Sequence, residues 1–281
     1  MKNKKGVCII LIWIYVFLLL GCNKNIEKKY YDNSKDIHIN ITSSILSFNL
    51  TFITSDKIKE VKYLLCQGKN FDYDNVNVSI VNNSLDMYKD KKIDGLYCSN
   101  WTVNIEFEQE GYYEVDSLTL ELDGEKKEIE FTDPIKYTKG EENNIINDEF
   151  KCDVFPCSFP SSYVENDEVI QYEFNAEKNF KLLETTFSDY FDASVIKVFL
   201  NDKEVGFPVD IKEGDNFTFK IKFSSQNKRV NKYCYVMGNL FIKYEFNGNE
   251  IKRNGALVFD PISPMDEKLD KLKELIDYVV K

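Results

Sequence analysis

From residue 37 the chain alternates. Ile37, Ile39 and Ile41 stand between polar neighbours, and Leu46, Phe48, Leu50 and Phe52 are spaced by Ser47, Asn49 and Thr51. Trp101, Val103, Ile105 and Phe107 follow the same period, as do Leu118, Leu120 and Leu122. Later, Phe217, Phe219, Ile221 and Phe223 alternate with Thr218, Lys220 and Lys222, and Leu240, Ile242, Tyr244 and Phe246 with Phe241, Lys243 and Glu245. A period of two gives an extended chain one apolar and one wet face, which predicts antiparallel sheets packed in pairs. Helical spacing is scarce before the C-terminus and no Gly-rich phosphate loop occurs, so a nucleotide-binding parallel α/β fold is not expected.

An internal repeat divides the chain. Residues 118–135 (LTLELDGEKKEIEFTDPI) match residues 240–262 (LFIKYEFNGNEIKRNGALVFDPI) in outline: a strand, a turn at Asp123-Gly124 or Asn247-Gly248, a return strand, and Asp-Pro-Ile. Asp-Gly and Asn-Gly suit the primed hairpin turns because both positions tolerate positive φ. The repeat predicts the last hairpin of two similar domains, each closed by its Asp-Pro. Upstream, Gly111-Tyr112-Tyr113-Glu114-Val115 resembles the Gly-x-Tyr entry to the penultimate strand of immunoglobulin-like domains. That resemblance implies two tandem immunoglobulin-like antiparallel sandwiches, with Tyr113 or Tyr112 tying a corner in the first and Tyr233 or Tyr235 in the second. No Cys follows Tyr113 by two residues, so the inter-sheet disulfide of antibody domains is not expected there. The expected bounds are 36–136 for the first domain, 137–149 for an acidic linker and 150–262 for the second domain.

The last stretch, 263–281, changes period. Pro264, Asp266 and Glu267 open a helix, and Leu269, Leu272, Ile276 and Val279 then form one apolar stripe. The expected packing for this amphipathic helix is on the second domain or across the seam between the two. The alternative is a docking surface for a partner, made of the same Leu269, Leu272, Ile276 and Val279.

At the other end, Lys2, Lys4 and Lys5 precede fourteen apolar positions, 7–20, and then Gly21-Cys22. A membrane-spanning helix needs about 20 apolar residues, so this reads as an export signal. Leu19-Leu20-Gly21-Cys22 resembles the lipobox of bacterial lipoproteins. The resemblance implies removal of residues 1–21, acylation of Cys22, and a mature protein held to the extracytoplasmic face of the cell membrane or outer membrane by its acyl chains. Residues 22–35, with four lysines, then read as a polar tether.

Composition narrows the chemistry. The chain has 281 residues, 43% hydrophobic and 30% charged, with a formal net charge of −11. That is a globular composition without the basic patch that nucleic acid requires. The single histidine, His38, falls on the wet side of its strand beside Asp36 and Asn40, and is expected to be solvated. With one histidine and no Gly-x-Ser-x-Gly elbow, no catalytic triad is expected. The pairs Glu106 with Glu108, Glu128 with Glu130 and Asp72 with Asp74 keep an acid-pair hydrolase as an alternative.

Of seven cysteines, Cys8 leaves with the signal and Cys22 is acylated. Cys66, Cys98, Cys152, Cys157 and Cys234 remain. The least strained pairings are Cys66 with Cys98, and Cys152 or Cys157 with a partner in the second domain, unless all five stay thiols. No cofactor is expected except calcium at the interdomain junction, where Asp133, Glu141, Glu142, Asn144, Asp148 and Glu149 lie. Tyr30, Tyr31, Tyr73 and Phe241 are the aromatic candidates for contact with a glycan or protein. The sequence thus points to an envelope-anchored binding or spacer module with an unknown protein or glycan partner. A third reading is a subunit docked through its C-terminal helix.

Overall fold

A computed structural model describes residues 30–83, 92–140, 148–151, 158–160, 169–187, 193–223, 232–261 and 269–280. Its strands in the first half are β1 (Tyr30–Asp32), β2 (Ile37–Ser43), β3 (Leu46–Thr54), β4 (Val61–Lys69), β5 (Val76–Asn82), β6 (Lys92–Ile93), β7 (Leu96–Phe107), β8 (Gly111–Leu122) and β9 (Glu125–Lys139). The second half holds β10 (Phe150–Lys151), β11 (Ser158–Pro160), β12 (Val169–Ala176), β13 (Phe180–Phe187), β14 (Ala193–Leu200), β15 (Lys203–Val205), β16 (Val209–Ile211), β17 (Asn216–Phe223), β18 (Tyr235–Phe246) and β19 (Asn249–Asp260). One helix, α1 (Leu269–Val280), follows them. The predicted all-β architecture with a C-terminal helix is observed.

Both repeated hairpins form as expected. Asp123 and Gly124 have φ of 48° and 88°, and Asn247 and Gly248 have φ of 53° and 77°, so both turns use the left-handed region that these residues tolerate. β8 pairs antiparallel with β9 and β18 with β19. The first Asp-Pro does not close a domain, however. β9 continues to Lys139, and Phe131–Pro134 form an irregularity where the register jumps between Val115/Ile135 and Ser117/Glu130. The expected linker therefore begins too early at residue 137.

The two halves are not separate sandwiches in series. One nine-stranded sheet, in the order β11-β19-β18-β2-β9-β8-β4 with β13 joining at β18 and β16 at β13, runs through both. A five-stranded sheet (β1-β3-β7-β5, with β6 on β7) covers its first half, and another (β10-β12-β17-β14-β15) belongs to the second. The joint is β2, which pairs parallel with β18 from Ile37↔Tyr235 to Asn40↔Gly238 and parallel with β9 from Asn40↔Lys136 to Ser43↔Lys139. The expectation of purely antiparallel sheets is corrected here. Alternation reports which face is buried, but not which strand lies alongside.

The cores follow the alternation. In the first, Ile37, Ile39, Phe48, Leu50, Val103, Ile105 and Leu118 are buried, and Phe107 stacks on Tyr113 with ring centroids 4.1 Å apart. The second is aromatic: the Phe150 ring lies 5.6 Å from Phe174, 5.3 Å from Phe180, 5.6 Å from Phe217 and 5.4 Å from Tyr244. β18 serves both, sending Tyr235 and Met237 into the first core and Val236, Leu240, Ile242 and Tyr244 into the second.

Where β18 and β2 separate, a side chain takes over the ladder. The Asn239 carboxamide, 1% exposed, accepts from the Thr42 N–H at 2.5 Å and donates to the Thr42 carbonyl at 3.2 Å. It occupies the place of a peptide group, so that buried backbone atoms of β2 keep partners.

The residues expected to be tether are partly folded. β1 pairs with Phe52–Thr54 of β3, and the buried Asn33 accepts from the Thr51 N–H at 2.9 Å. The tether is thus at most 22–29, which lie outside the described residues.

The helix does not sit on the second half as one expectation had it. Leu272, Leu275 and Ile276 are buried against Ile53, Leu96 and Cys98 on the outer face of β3 and β7, and Tyr278 stacks on Tyr233 at 4.2 Å. The Tyr278 hydroxyl donates to Asp36 at 3.0 Å. The helix covers the first half and reaches the second through Tyr233 and through Glu274, which accepts from Lys232 at 3.1 Å, so it lies across the seam as the other expectation had it. Burial raises the Asp36 carboxyl above the ordinary aspartate value despite that hydrogen bond. The folded state therefore binds the Asp36 proton more tightly than the unfolded chain, and this residue's cost to stability at neutral pH is relieved as pH falls through the raised value.

Two predictions follow from the seam and the cover. Asn239→Leu orphans the Thr42 N–H and carbonyl, costing about 2–4 kcal/mol. Urea unfolding should show a lower midpoint, and a loss below about 0.5 kcal/mol would remove the role assigned to this side chain. Ile276→Ala should loosen α1 by about 2–5 kcal/mol and speed alkylation of Cys98 while Cys66 stays protected. Peptide mapping after iodoacetamide treatment reads this directly, and an unchanged rate at Cys98 would mean that the helix is not what shields it.

Candidate functional site

The candidate acid and base residues of the sequence lie in different surroundings. His38 is 5% exposed, not solvated, with Nδ1 3.0 Å from Asp133 Oδ2. The irregularity in β9 presents that carboxylate, and its contact with the ring replaces water on the nominally wet side of β2. Glu106, Glu108, Glu128, Glu130, Asp72 and Asp74 are all exposed on outer surfaces.

The cysteine pairing is corrected. Cys66 and Cys98 are free thiols. Trp101, Val103, Ile105 and Phe107 point into the first core, so Cys98, of opposite parity on the same strand, points out beneath α1, while Cys66 points in. Burial pushes both thiols up to about 12, with Asp116 contributing at Cys66, so neither is a ready nucleophile. Cys234 is buried in the second core. Cys22, Cys152 and Cys157 lie outside the described residues.

Two of the acids proposed for calcium, Asp133 and Glu149, are committed elsewhere. Asp133 holds His38, and buried Glu149 accepts from the Tyr244 hydroxyl at 3.0 Å with Arg253 Nη2 at 4.0 Å. Asp148 is exposed, and Glu141, Glu142 and Asn144 lie outside the described residues. Among the described residues no group of three or more His, Cys, Asp or Glu side chains could hold a metal ion.

The docking stripe is similarly occupied. Leu272 and Ile276 face inward, Val279 packs beside them, and Leu269 is the first residue of the helix. Of the aromatic candidates, Tyr73 is 62% exposed, Tyr30 and Tyr31 are half-buried, and Phe241 lies under the Lys252 ammonium at 4.0 Å.

One open surface among the described residues was not marked by any of these residues. It is the outer face of β12, β17 and β14, a depression of about 730 Å³. With Ile170, Tyr172 and Phe174 inside, β12 turns Gln171, Glu173 and Asn175 outward. With Phe217 and Phe219 inside, β17 turns out Asn216, Thr218 and Lys220. β14 buries Val198 and so presents Phe199, with Lys220 Nζ 4.3 Å from its ring centroid. The turn after β14 has Asn201 and Asp202 at φ of 46° and 64°. Asn201 donates to Asp215 at 2.9 Å and accepts from the Asn216 N–H at 3.2 Å, which fixes that end. The Asp215 carboxyl, bonded by Asn201 and by the Lys212 N–H, is held below the usual aspartate value. The result is one aromatic ring framed by four carboxamides, the Thr218 hydroxyl, two acids (Glu173 and Asp202) and one lysine (Lys220). Such a surface offers stacking together with paired donors and acceptors. The one cue in the sequence was Phe199 itself, a large apolar residue at an outward position of Val198-Phe199-Leu200.

No family model matches the chain, and no curated protein matches it. Among solved structures, similarity extends to the adhesin CfaE of enterotoxigenic E. coli, at 8% identity and a TM-score of 0.27 over 84% of this chain and 87% of that one. It extends also to domains 5–6 of the S-layer protein SbsC, at 9% identity and a TM-score of 0.20 over 84% and 98%. A third is the secreted serine protease VesC of Vibrio cholerae, at 11% identity and a TM-score of 0.23 over 75% of this chain, which spans half the length of that protein. At these scores the likenesses decide neither the family nor the activity.

Proposed function

We propose that the chain is a lipid-anchored extracytoplasmic module of a bacterial envelope that binds a neutral saccharide on the outer face of β12, β17 and β14. The observation that carries the binding reading is the Phe199 ring framed by Gln171, Asn175, Asn201 and Asn216. A ring stacks on the apolar face of a sugar, and the carboxamides of Asn175 and Asn216 match hydroxyls because each provides donor and acceptor at no cost in charge, while Asn201, committed to Asp215 and the Asn216 N–H, holds the turn in place. The lipobox at Leu19-Leu20-Gly21-Cys22 carries the anchoring reading, and among the described residues no helix is long and apolar enough to cross a membrane. The Tyr113 hydroxyl donates to the Gln109 carbonyl at 2.6 Å, a corner bond that favours an immunoglobulin-like first half. A spacer is the second reading, favoured by the sheet that joins both halves through β2.

Two outcomes are expected. Labelled palmitate enters the wild-type protein, whereas Cys22→Ala takes up none and leaves the membrane fraction; equal membrane partitioning of the variant would remove the anchor. A screen of neutral oligosaccharides by calorimetry returns a ligand whose affinity Phe199→Ala lowers about ten-fold or more, with the thermal unfolding curve unchanged. A ligand bound equally by Phe199→Ala places binding elsewhere, and the absence of any ligand leaves the spacer reading.

A further inference from the structure

We propose that the protein stands on end on the membrane that anchors it, with residues 56–60 and 123–127 on the lipid head groups and the face of β12, β17 and β14 held at the opposite end. The inference rests on the lipid-anchor reading above and gives the anchoring membrane a contact surface on the folded chain.

Strand register fixes which parts share an end. β2 runs parallel to β18 and to β9, so Gly238 and Lys136 both lie level with Asn40. Toward one end, Glu114 pairs with Lys136 and, six residues further along β8, Leu120 pairs with Lys127. Toward the other, six residues beyond Gly238, Tyr244 meets the Phe150 ring, which also contacts Phe174 and Phe217. Asn175 and Asn216 of the candidate face adjoin those two phenylalanines. At about 3.3 Å per residue the two levels stand about 40 Å apart along the strands. Tyr30 belongs to the first level: it lines one depression with Asp123, Glu125 and Lys127, and Lys127 Nζ lies 5.1 Å from its ring centroid.

The reach of the chain decides which end meets the membrane. Cys22 precedes Tyr30 by eight positions, and eight residues span at most about 29 Å when fully extended. A membrane seated against the far end would leave Tyr30 about 40 Å above it, beyond that reach. Charge then separates standing from lying flat. The chain as a whole carries −11, which an anionic surface repels. Residues 56–60 and 123–127 hold four lysines against four acids, and Lys24, Lys28 and Lys29 against Glu27 precede Tyr30, so this is the positive end of an acidic chain. Its acids are partly offset: the Asp123 carboxylate accepts from the Lys59 and Glu60 N–H groups at 3.0 and 2.9 Å, and Glu60 pairs with Lys62 at 2.9 Å. Lys57, Lys59 and Lys126 are exposed there, within a Debye length of head groups that the end touches.

The test uses the full chain on vesicles of phosphatidylcholine and phosphatidylglycerol, isolated by flotation and treated with an amine-acetylating ester. Peptide mapping should show acetylation of Lys59 and Lys126 slowed about five-fold relative to the same protein in neutral detergent. Lys203 and Lys212, exposed at the far end, should keep their detergent rates. Lys59→Glu combined with Lys126→Glu should still float and should return Lys57 to its detergent rate. Equal slowing at both ends, slowing confined to Lys203 and Lys212, or a Lys57 that stays slow in the double variant overturns the stance while the floated protein keeps its anchor. Protein that fails to float overturns the anchor reading and the stance with it.

Discussion

Alternate side chains of the strand Tyr235–Phe246 belong to different cores, and this division binds the two halves of the molecule. Tyr235 and Met237 complete the first core, while Val236, Leu240, Ile242 and Tyr244 help build the second. An interface between independent domains would be modest in area and more polar than a core. Here the connection is a strand pairing, Ile37↔Tyr235 to Asn40↔Gly238, roofed by apolar side chains from both halves. Moving one half relative to the other would break a hydrogen-bonded ladder and expose Tyr235 and Met237 together. The halves are accordingly coupled in stability, and a lesion such as the loss of Asn239 is felt on both sides.

Much of this was legible in the residues. Period-two spacing located most of the long strands, and Asp123-Gly124 and Asn247-Gly248 fixed two hairpins because their turn conformation is a property of those residues alone. The heptad-like spacing of Leu272, Ile276 and Val279 gave a helix with one apolar face. Pairing between distant strands was not legible, since alternation is the same for parallel and antiparallel neighbours and for any partner. That is why β2 was read as a strand of one sandwich when it is the joint of both, and why His38 was read as wet. The parity of Cys98 relative to Trp101, by contrast, was available: an even-numbered residue on a strand whose odd-numbered residues are core cannot meet the inward-facing Cys66.

The candidate face is a different case. No motif marks it, because its chemistry is divided among three strands and a turn that are adjacent only in the folded sheet. Gln171, Thr218 and Phe199 are ordinary residues in sequence. Their register, Gln171↔Lys220, Glu173↔Thr218 and Phe199↔Thr218, is what makes a surface of them. Of the aromatics that stand out in the sequence, Tyr30, Tyr31 and Phe241 are partly packed within the fold and Tyr73 is exposed.

Polar residues at the seam do work that apolar ones could not. When neighbouring strands diverge inside a sheet, each leaves N–H and C=O groups with no ladder partner, and burying them unpaired costs about 1–3 kcal/mol each. Asn239 meets that cost on one side of β2 by standing in for a peptide group at Thr42. On the other side the irregular segment of β9 brings Asp133 to the only histidine in the chain. Both contacts require a particular register: a shift of β2 by one residue would exchange His38 with Ile37 or Ile39 and put a charged or polar ring into the first core. The hydrophobic pattern makes the two layers, and these few polar side chains decide how the layers of one half continue into the other.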